Sequence, residues 1–223
     1  LIPPRKQDQR DFRDQETRWF DFVNQSANRI LVHFADHLMD HLSGANVLNI
    51  FQTIGSAGGL YTMLAPYFVA FSQFAKDREM SREVDRRFNA PATPLPKDAE
   101  TESVRVAHFT DTFYDVNGVS LTLQQQARLA VKNKKDYTVV TCHDRDHKGM
   151  NICNFRPIGV YELPEYPQHK LYYPPLLDML NYCHEKDFNH LHTSTPGPIG
   201  LAALAIARIL RLPISGTYHT AIP

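Results

Sequence analysis

The sequence has few cysteines, no excess of basic residues and no long apolar stretch, and each of these absences argues against a common class of protein. It has only 3 cysteines in 223 residues, and an odd, sparse set of thiols (Cys142, Cys153 and Cys183) argues against a disulfide-framed secreted domain. Its 24 basic residues equal its 24 acidic ones, which argues against a nucleic-acid-binding protein, because such proteins carry a basic surface. The longest weakly polar stretch, residues 56–71, is shorter than the ~20 residues that span a bilayer. We therefore predict a cytoplasmic protein with no nucleic-acid partner.

Three short motifs that bind cofactors or carry catalysis are also missing from the sequence. Without G-x-G-x-x-G there is no dinucleotide fingerprint, and without G-x-x-x-x-G-K-[ST] there is no P-loop for phosphoryl transfer. Without G-x-S-x-G the serine-hydrolase elbow is absent. We predict no cofactor.

The first 89 residues predict a helical segment. Apolar residues recur in steps of three and four from Phe12 to Leu42, which is the helical period, and Ser43-Gly44 supplies a stop. Acidic and basic side chains alternate closely in residues 76–87, which is typical of a solvent-exposed helix stabilised by ion pairs between neighbouring turns. Residues 90–103 contain three prolines among small and charged residues and predict a linker.

After the linker, residues 104–223 alternate short β-rich runs with helical patterns. Alternation of this kind predicts a Rossmann-like α/β domain, with a parallel sheet and helices on both faces. The predicted strands are 104–109, 136–142, 159–163, 189–193 and 213–218. The predicted helices are 118–131, 174–186 and 197–210.

The ends of three predicted strands carry the residues most suited to chemistry, because ligands bind outside the carboxyl ends of parallel strands. The segment 111–120 opens a helix at Gly118, where backbone N–H groups can approach an anion. The segment 193–200 is rich in hydroxyl groups, proline and glycine, which is also the composition of a simple helix cap. The segment 217–220 places His219 at the end of the last strand.

Two histidine-containing segments allow a metal-site interpretation. Cys142, His143 and His147 precede Cys153, but this spacing is not that of a structural zinc site. His33, His37 and His41 lie four residues apart on a predicted helix, and a polar helix face explains them without a metal. We predict no metal.

The strand-end segments resemble the N-terminal half of GT-B glycosyltransferases, specifically the retaining enzymes of family 4. The resemblance covers about half of the chain, from Val104 to Pro223. It rests on three stretches in the family's order: FTDTFYDVNGVSLTL, YELPEYPQHKLYYP and HLHTSTPGPIGLAALAIARILRLPISGTYHTAIP. The nearest pattern is the branch of mannosyl-, glucosyl- and sulfoquinovosyl-transferases.

The resemblance implies roles for six residues. Asn117 and Gly118 would contact the donor diphosphate, and a catalytic His219 would lie near the reacting sugar. The acceptor side would be formed by Asp111, Glu165 and Tyr166. The implied partners are a GDP- or UDP-linked sugar donor and a lipid or glycan acceptor, with no metal or cofactor in the site.

The sequence departs from the family pattern at two places. Leu121 stands where many relatives carry arginine, and Pro223 ends the chain before the domain is complete and before the family's E-x7-E signature. We therefore expect this chain to be an inactive piece of a larger enzyme. The alternative is a noncatalytic sugar- or nucleotide-binding or assembly module.

The sequence also suggests two surface contacts. Lys132, Lys134 and Lys135 cluster at one helix end, where they could make a peripheral contact with the inner face of a membrane or simply stabilise the helix C-terminus. The helical segment could form a homo-oligomer through its apolar stripe.

Overall fold

The computed structural model describes residues 6–43, 64–73, 80, 84, 87–88, 104–145, 151–162 and 170–217. The chain divides into two compact units, Leu1–Pro66 and Tyr67–Pro223. The predicted linker at 90–103 lies outside the described residues, and the predicted domain boundaries stay predictions.

The described residues of the first unit include one long helix, α1 (Lys6–Ser43), of 38 residues. It confirms the predicted helix and ends at the predicted stop. Trp19 and Phe22 are exposed on α1, and their rings meet edge to face with centroids 6.2 Å apart. Residues 64–73 form a further helix, α2. Within the described ranges, every helix lacks the combined length and apolar character needed to cross a bilayer.

The second unit is built around a five-stranded parallel sheet, which confirms the predicted Rossmann-like α/β class. Its strands are β1 (Val106–Phe109), β2 (Tyr137–Cys142), β3 (Ile152–Phe155), β6 (His190–Thr193) and β7 (Ile214–Gly216). The helices of this unit after β1 are α3 (Gly118–Lys132), α4 (Leu176–Glu185) and α5 (Pro198–Leu210). A separate antiparallel pair consists of β4 (Gly159–Glu162) and β5 (Lys170–Tyr173).

The strand order of the parallel sheet is β3-β2-β1-β6-β7. From β1 the chain builds outward through β2 to β3, and it then returns to the other side of β1 to add β6 and β7. The order therefore reverses between β1 and β6. Such a switch point opens a crevice at the carboxyl ends of the two strands, where ligands of open α/β sheets bind.

One predicted strand was assigned to the wrong sheet. Residues 159–163 were expected to form the third parallel strand, but Gly159–Glu162 pairs antiparallel with Lys170–Tyr173. The parallel position is held by Ile152–Phe155, where Cys153 lies opposite Val140. Alternate residues of β4 are exposed, as in a strand with one solvated face, whereas parallel strands are covered on both faces.

Apolar residues from the sheet and its helices form the core of the second unit. One buried cluster joins α3 to β2 and the β1–α3 loop, and it consists of Phe113, Leu123, Ala127 and Val139. Helix α5 is apolar on most of its circumference and buries a row of small and branched residues: Ile199, Ala202, Ala203, Ile206, Ala207 and Leu210. Because this packing fixes the start of each helix, it also fixes the loops at the carboxyl ends of the strands.

Candidate functional site

The loops that follow β1 and β6 are tied together by Asp111 and Thr195. The Thr195 hydroxyl donates to Asp111 Oδ2 over 2.5 Å, and its oxygen accepts the Asp111 backbone N–H over 3.1 Å. The other carboxylate oxygen accepts the Ile199 N–H over 3.0 Å. These bonds join residues more than 80 positions apart and close the base of the crevice at the switch point.

The Asp111 carboxylate lies at the positive end of helix α5. Burial raises the pKa of Asp111, and hydrogen bonds from Thr195, Ile199 and Gly200 oppose that rise. A Cβ on Gly197 would lie 2.6 Å from Asp111 Oδ2, so glycine is needed there for the close approach. Asp111 was predicted as an acceptor-side residue. Its carboxylate bonds to Thr195 and α5, and an acceptor role stays a prediction.

The start of α3 is built differently, because it opens toward solvent. Asn117 caps this helix, its side-chain oxygen accepting the Ser120 N–H over 2.8 Å. The Ser120 hydroxyl donates to the Phe113 carbonyl over 2.5 Å, which anchors the preceding loop. In the described part of the chain, a Cβ on Gly118 would meet no atom within 4 Å other than its chain neighbours and the backbone of its own helix. The chain's own packing therefore does not require glycine at this position.

Four side chains at the end of β2 form a group that the sequence analysis did not single out as a binding site. We call Tyr114, His143, Asp144 and Tyr172 the His143 cluster. The His143 ring packs against the rings of Tyr114, at a centroid distance of 4.7 Å, and Tyr172, at 4.6 Å. His143 Nδ1 lies 2.6 Å from Asp144 Oδ1. Residues from the β1–α3 loop, the end of β2 and strand β5 thus converge at the carboxyl edge.

Burial lowers the pKa of the His143 imidazole. The nearby charges act in both directions: Asp144 and Asp115 favour the protonated ring, whereas Arg145 opposes it. The His143 side chain is 15% exposed and that of Asp144 is 66% exposed. The cluster therefore presents a mostly buried imidazole beside an accessible carboxylate. In the sequence, the only sign of this cluster is the adjacent pair His143-Asp144, because the two tyrosines come from distant segments.

Three other histidines lie on one face of the sheet. His108 of β1 stands beside His192 of β6 in the register, and His190 lies two residues before His192. The Tyr137 hydroxyl bonds His108 Nδ1 over 2.7 Å, and Ser215 Oγ lies within 2.9 Å of both His190 and His192. These rings line part of a groove of about 1000 Å³ beside α3. The alternation in His-Leu-His-Thr could have shown that His190 and His192 share a face.

The remaining site predictions fall outside the described residues. His219, Glu165 and Tyr166 are not described, so their predicted roles stay predictions. In the parts of the chain that the structure describes, no three histidine, cysteine, aspartate or glutamate side chains are arranged to hold a metal ion.

The geometry thus gives an open helix N-terminus and a polar cluster at the carboxyl edge of a parallel sheet, beside its switch point. Residues 116–223 match the Glycosyltransferase Family 4 model. The match supports a glycosyltransferase as the class of this domain. Comparison with curated proteins gives no match.

The family 4 match begins just before α3 and covers most of the second unit's described elements. It includes Asn117 and Gly118, His143 and Asp144 of the cluster, and Thr195 of the loop linkage. It begins after Asp111 and Tyr114. The expected kinds of partner for a glycosyltransferase are a sugar donor and an acceptor.

Proposed function

We propose that this chain carries the acceptor-side, N-terminal domain of a retaining GT-B glycosyltransferase. The transfer would move a hexosyl group from a UDP- or GDP-linked sugar to a lipid or glycan hydroxyl. The proposal includes the predicted mannosyl-, glucosyl- or sulfoquinovosyl-transferring branch. It also includes the expectation that the chain alone is inactive.

The observation that carries the proposal is the open start of α3 within the family 4 match. The first N–H groups of a helix have no partner inside the helix, and its positive dipole end favours an anion. Among the described residues, no atom beyond the adjoining chain and helix backbone lies within 4 Å of a Cβ placed on Gly118. A diphosphate can therefore approach the backbone closely, and the helix dipole would stabilise the charge that develops on it as it leaves.

The reaction needs this stabilisation because the leaving group takes the bonding electrons. The bond from the sugar C1 to the diphosphate oxygen breaks, and the electron pair departs with the diphosphate. The acceptor oxygen bonds C1 on the same face, and its proton passes to the departing diphosphate. Preorganised N–H donors at the site of developing charge are the usual means of accelerating such a step.

Three residues outside the described ranges complete the proposed site. His219 would contact the reacting sugar, and Glu165 and Tyr166 would shape the acceptor side together with Asp111. A peripheral membrane contact through the Lys132, Lys134 and Lys135 group and self-association through the helical segment remain part of the proposal.

The test is nucleotide-sugar turnover by the full-length protein. We expect release of UDP from UDP-glucose, or of GDP from GDP-mannose, that depends on an added glycan or lipid acceptor. Gly118→Val should reduce kcat/KM by at least about a hundredfold, because its side chain occupies the space next to the backbone donors. Gly216→Ala is the matched control, since a Cβ there makes ordinary contacts at 3.5 Å with Thr193.

The results separate the proposal from its alternative. Turnover lost in Gly118→Val and kept in Gly216→Ala supports the proposal. Binding of nucleotide sugars without turnover indicates a noncatalytic binding module, and full activity in Gly118→Val removes the α3 N-terminus from the site.

A further inference from the structure

The His143 cluster has the composition of a site for a neutral, polyhydroxylated ligand. It lies at the carboxyl edge of the sheet, where His143 directly follows β2. Its backbone position is fixed: the His143 N–H donates to the Phe155 carbonyl over 3.1 Å, and the Asn154 amide donates to the carbonyls of His143 and Arg145 over 2.9 and 2.6 Å. A turn held by bonds to β3 can present its side chains in one geometry.

Two aromatic rings pack against the imidazole at tilted angles, 58° for Tyr114 and 44° for Tyr172. Tyr114 comes from the β1–α3 loop and Tyr172 from β5, so the antiparallel β4–β5 pair is the element that completes the cluster. Burial and the nearby Asp144 carboxylate raise the pKa of the Tyr172 hydroxyl. The polar atoms through which the imidazole can bind a ligand are its two ring nitrogens.

The two ring nitrogens of His143 have different surroundings. Nδ1 faces both Asp144 Oδ1 at 2.6 Å and the Arg145 backbone N–H at 3.1 Å. When Nδ1 carries the proton it donates to Asp144, and Nε2 then accepts. When Nδ1 is unprotonated it accepts from Arg145, and Nε2 then donates. Among the described residues, Nε2 has no hydrogen-bond partner, so it can accept or donate as a hydroxyl requires.

The charges around the cluster favour a neutral ligand over a phosphate. Among the described residues, Asp144 contacts the imidazole, Asp144 and Asp115 favour its protonated form, and Arg145 opposes it. A second described cation, Lys170, is paired with Glu162 over 2.9 Å. A carboxylate in contact with the ring repels a diphosphate, whereas carboxylate and imidazole groups can hydrogen-bond to neutral hydroxyls.

From this geometry we infer that the His143 cluster binds the hydroxyl groups of a neutral polyol or sugar acceptor, with Asp144 orienting the His143 ring. The inference rests on the proposed function and adds the chemical class of the acceptor and the residues that bind it. His143 and Asp144 are thus specificity-determining residues, and no proton transfer is assigned to them.

The experiment observes the imidazole directly. The full-length protein is labelled with ¹⁵N-histidine, and its ring nitrogens are followed by NMR during titration with methyl α-D-mannopyranoside and, separately, with myo-inositol. UDP-glucose and GDP-mannose binding is measured on the same samples. We expect at least one neutral polyol to shift the His143 resonances, and Asp144→Asn to weaken that binding about tenfold or more.

Two variants guard against loss of folding. Asp144 is mostly exposed, so Asp144→Asn should keep the fold, and His143→Gln should abolish polyol binding measured by calorimetry. His190→Gln is the matched control, since it removes an imidazole on the sheet face, outside the cluster. Retained histidine resonances elsewhere in the spectrum establish that each variant is folded.

The outcomes distinguish this inference from the proposed function. A polyol shift at His143, with nucleotide-sugar binding unchanged in Asp144→Asn, supports both. Nucleotide-sugar binding with no polyol response at His143 overturns the inference alone. A polyol response without nucleotide-sugar binding overturns the proposed function and supports a noncatalytic sugar site, and no response to either overturns both.

Discussion

Asp111 has a structural role at the base of the crevice. In the described residues, all of its carboxylate contacts are to Thr195 and the first turn of α5. Asp111→Ala would leave the Ile199 N–H and the Thr195 hydroxyl without their acceptor in a mostly buried position. We expect a loss of about 3 kcal/mol in the free energy of unfolding, measured by urea denaturation. Asp115→Ala, in the exposed part of the same loop, is the control and should change stability by less than about 0.5 kcal/mol. An equal effect of both changes would contradict this role.

His143 makes stability depend on pH below neutrality. Because burial lowers its pKa in the folded state, the unfolded chain binds more protons between that pKa and the ordinary value of 6.5. The contribution of neutral, buried His143 to the free energy of unfolding is fully present above pH 6.5, and it is lost as the pH falls through this window. The stability difference between wild type and His143→Gln should therefore shrink from pH 7 to pH 5, as followed by urea unfolding at each pH. A difference that grows on acidification would show that Asp144 and Asp115 outweigh burial and Arg145.

At the scale of elements, the first turns of α3 and α5 each contain a glycine, and the fold requires glycine in only one of them. A Cβ on Gly200 in α5 would overlap the Thr195 carbonyl oxygen, whereas one on Gly118 in α3 would meet open space. We expect Gly200→Ala to cost about 3 kcal/mol or more through overpacking. Gly118→Ala should leave stability within about 1 kcal/mol of wild type, since alanine is the better helix former. Thermal and urea unfolding of the two variants side by side measures the contrast, and equal losses would mean that Gly118 is also needed by the fold.

Local patterns predicted the elements well, but not their assembly into sheets. The runs around β1 and β2 show a concentration of apolar and β-branched residues, β6 shows an alternating pattern, and the apolar, alanine-rich stripe of α5 is nearly continuous. Strand β3 was missed because it is only four residues long, contains Asn154 and stays half-buried. Strand β4 was found but misassigned, since sequence order does not say which neighbour a strand pairs with. Its true partner, β5, was missed between proline-rich segments.

The candidate site shows the same limit at longer range. Asn117 and Gly118 are adjacent and could be recognised as a helix start from sequence alone. The Asp111–Thr195 bond and the His143–Tyr172 contact join segments far apart in the chain, so no local signal identifies them. These contacts are evident only in the structure, because the strand order brings the loops after β1, β2 and β6 to one edge of the sheet.

For the whole molecule, the division into two compact units predicts two unfolding steps. Trp19 is the single tryptophan of the chain and lies on α1 in the first unit, so its fluorescence anisotropy reports on that unit. Far-UV circular dichroism reports on the helices of both units. We expect the two signals to give noncoincident urea transitions, because units with separate cores need not unfold together. Asp111→Ala should then lower the midpoint of the step that anisotropy does not report, and leave the Trp19 transition in place. If both signals coincide and the Trp19 transition shifts with Asp111→Ala, the two units unfold as one cooperative body.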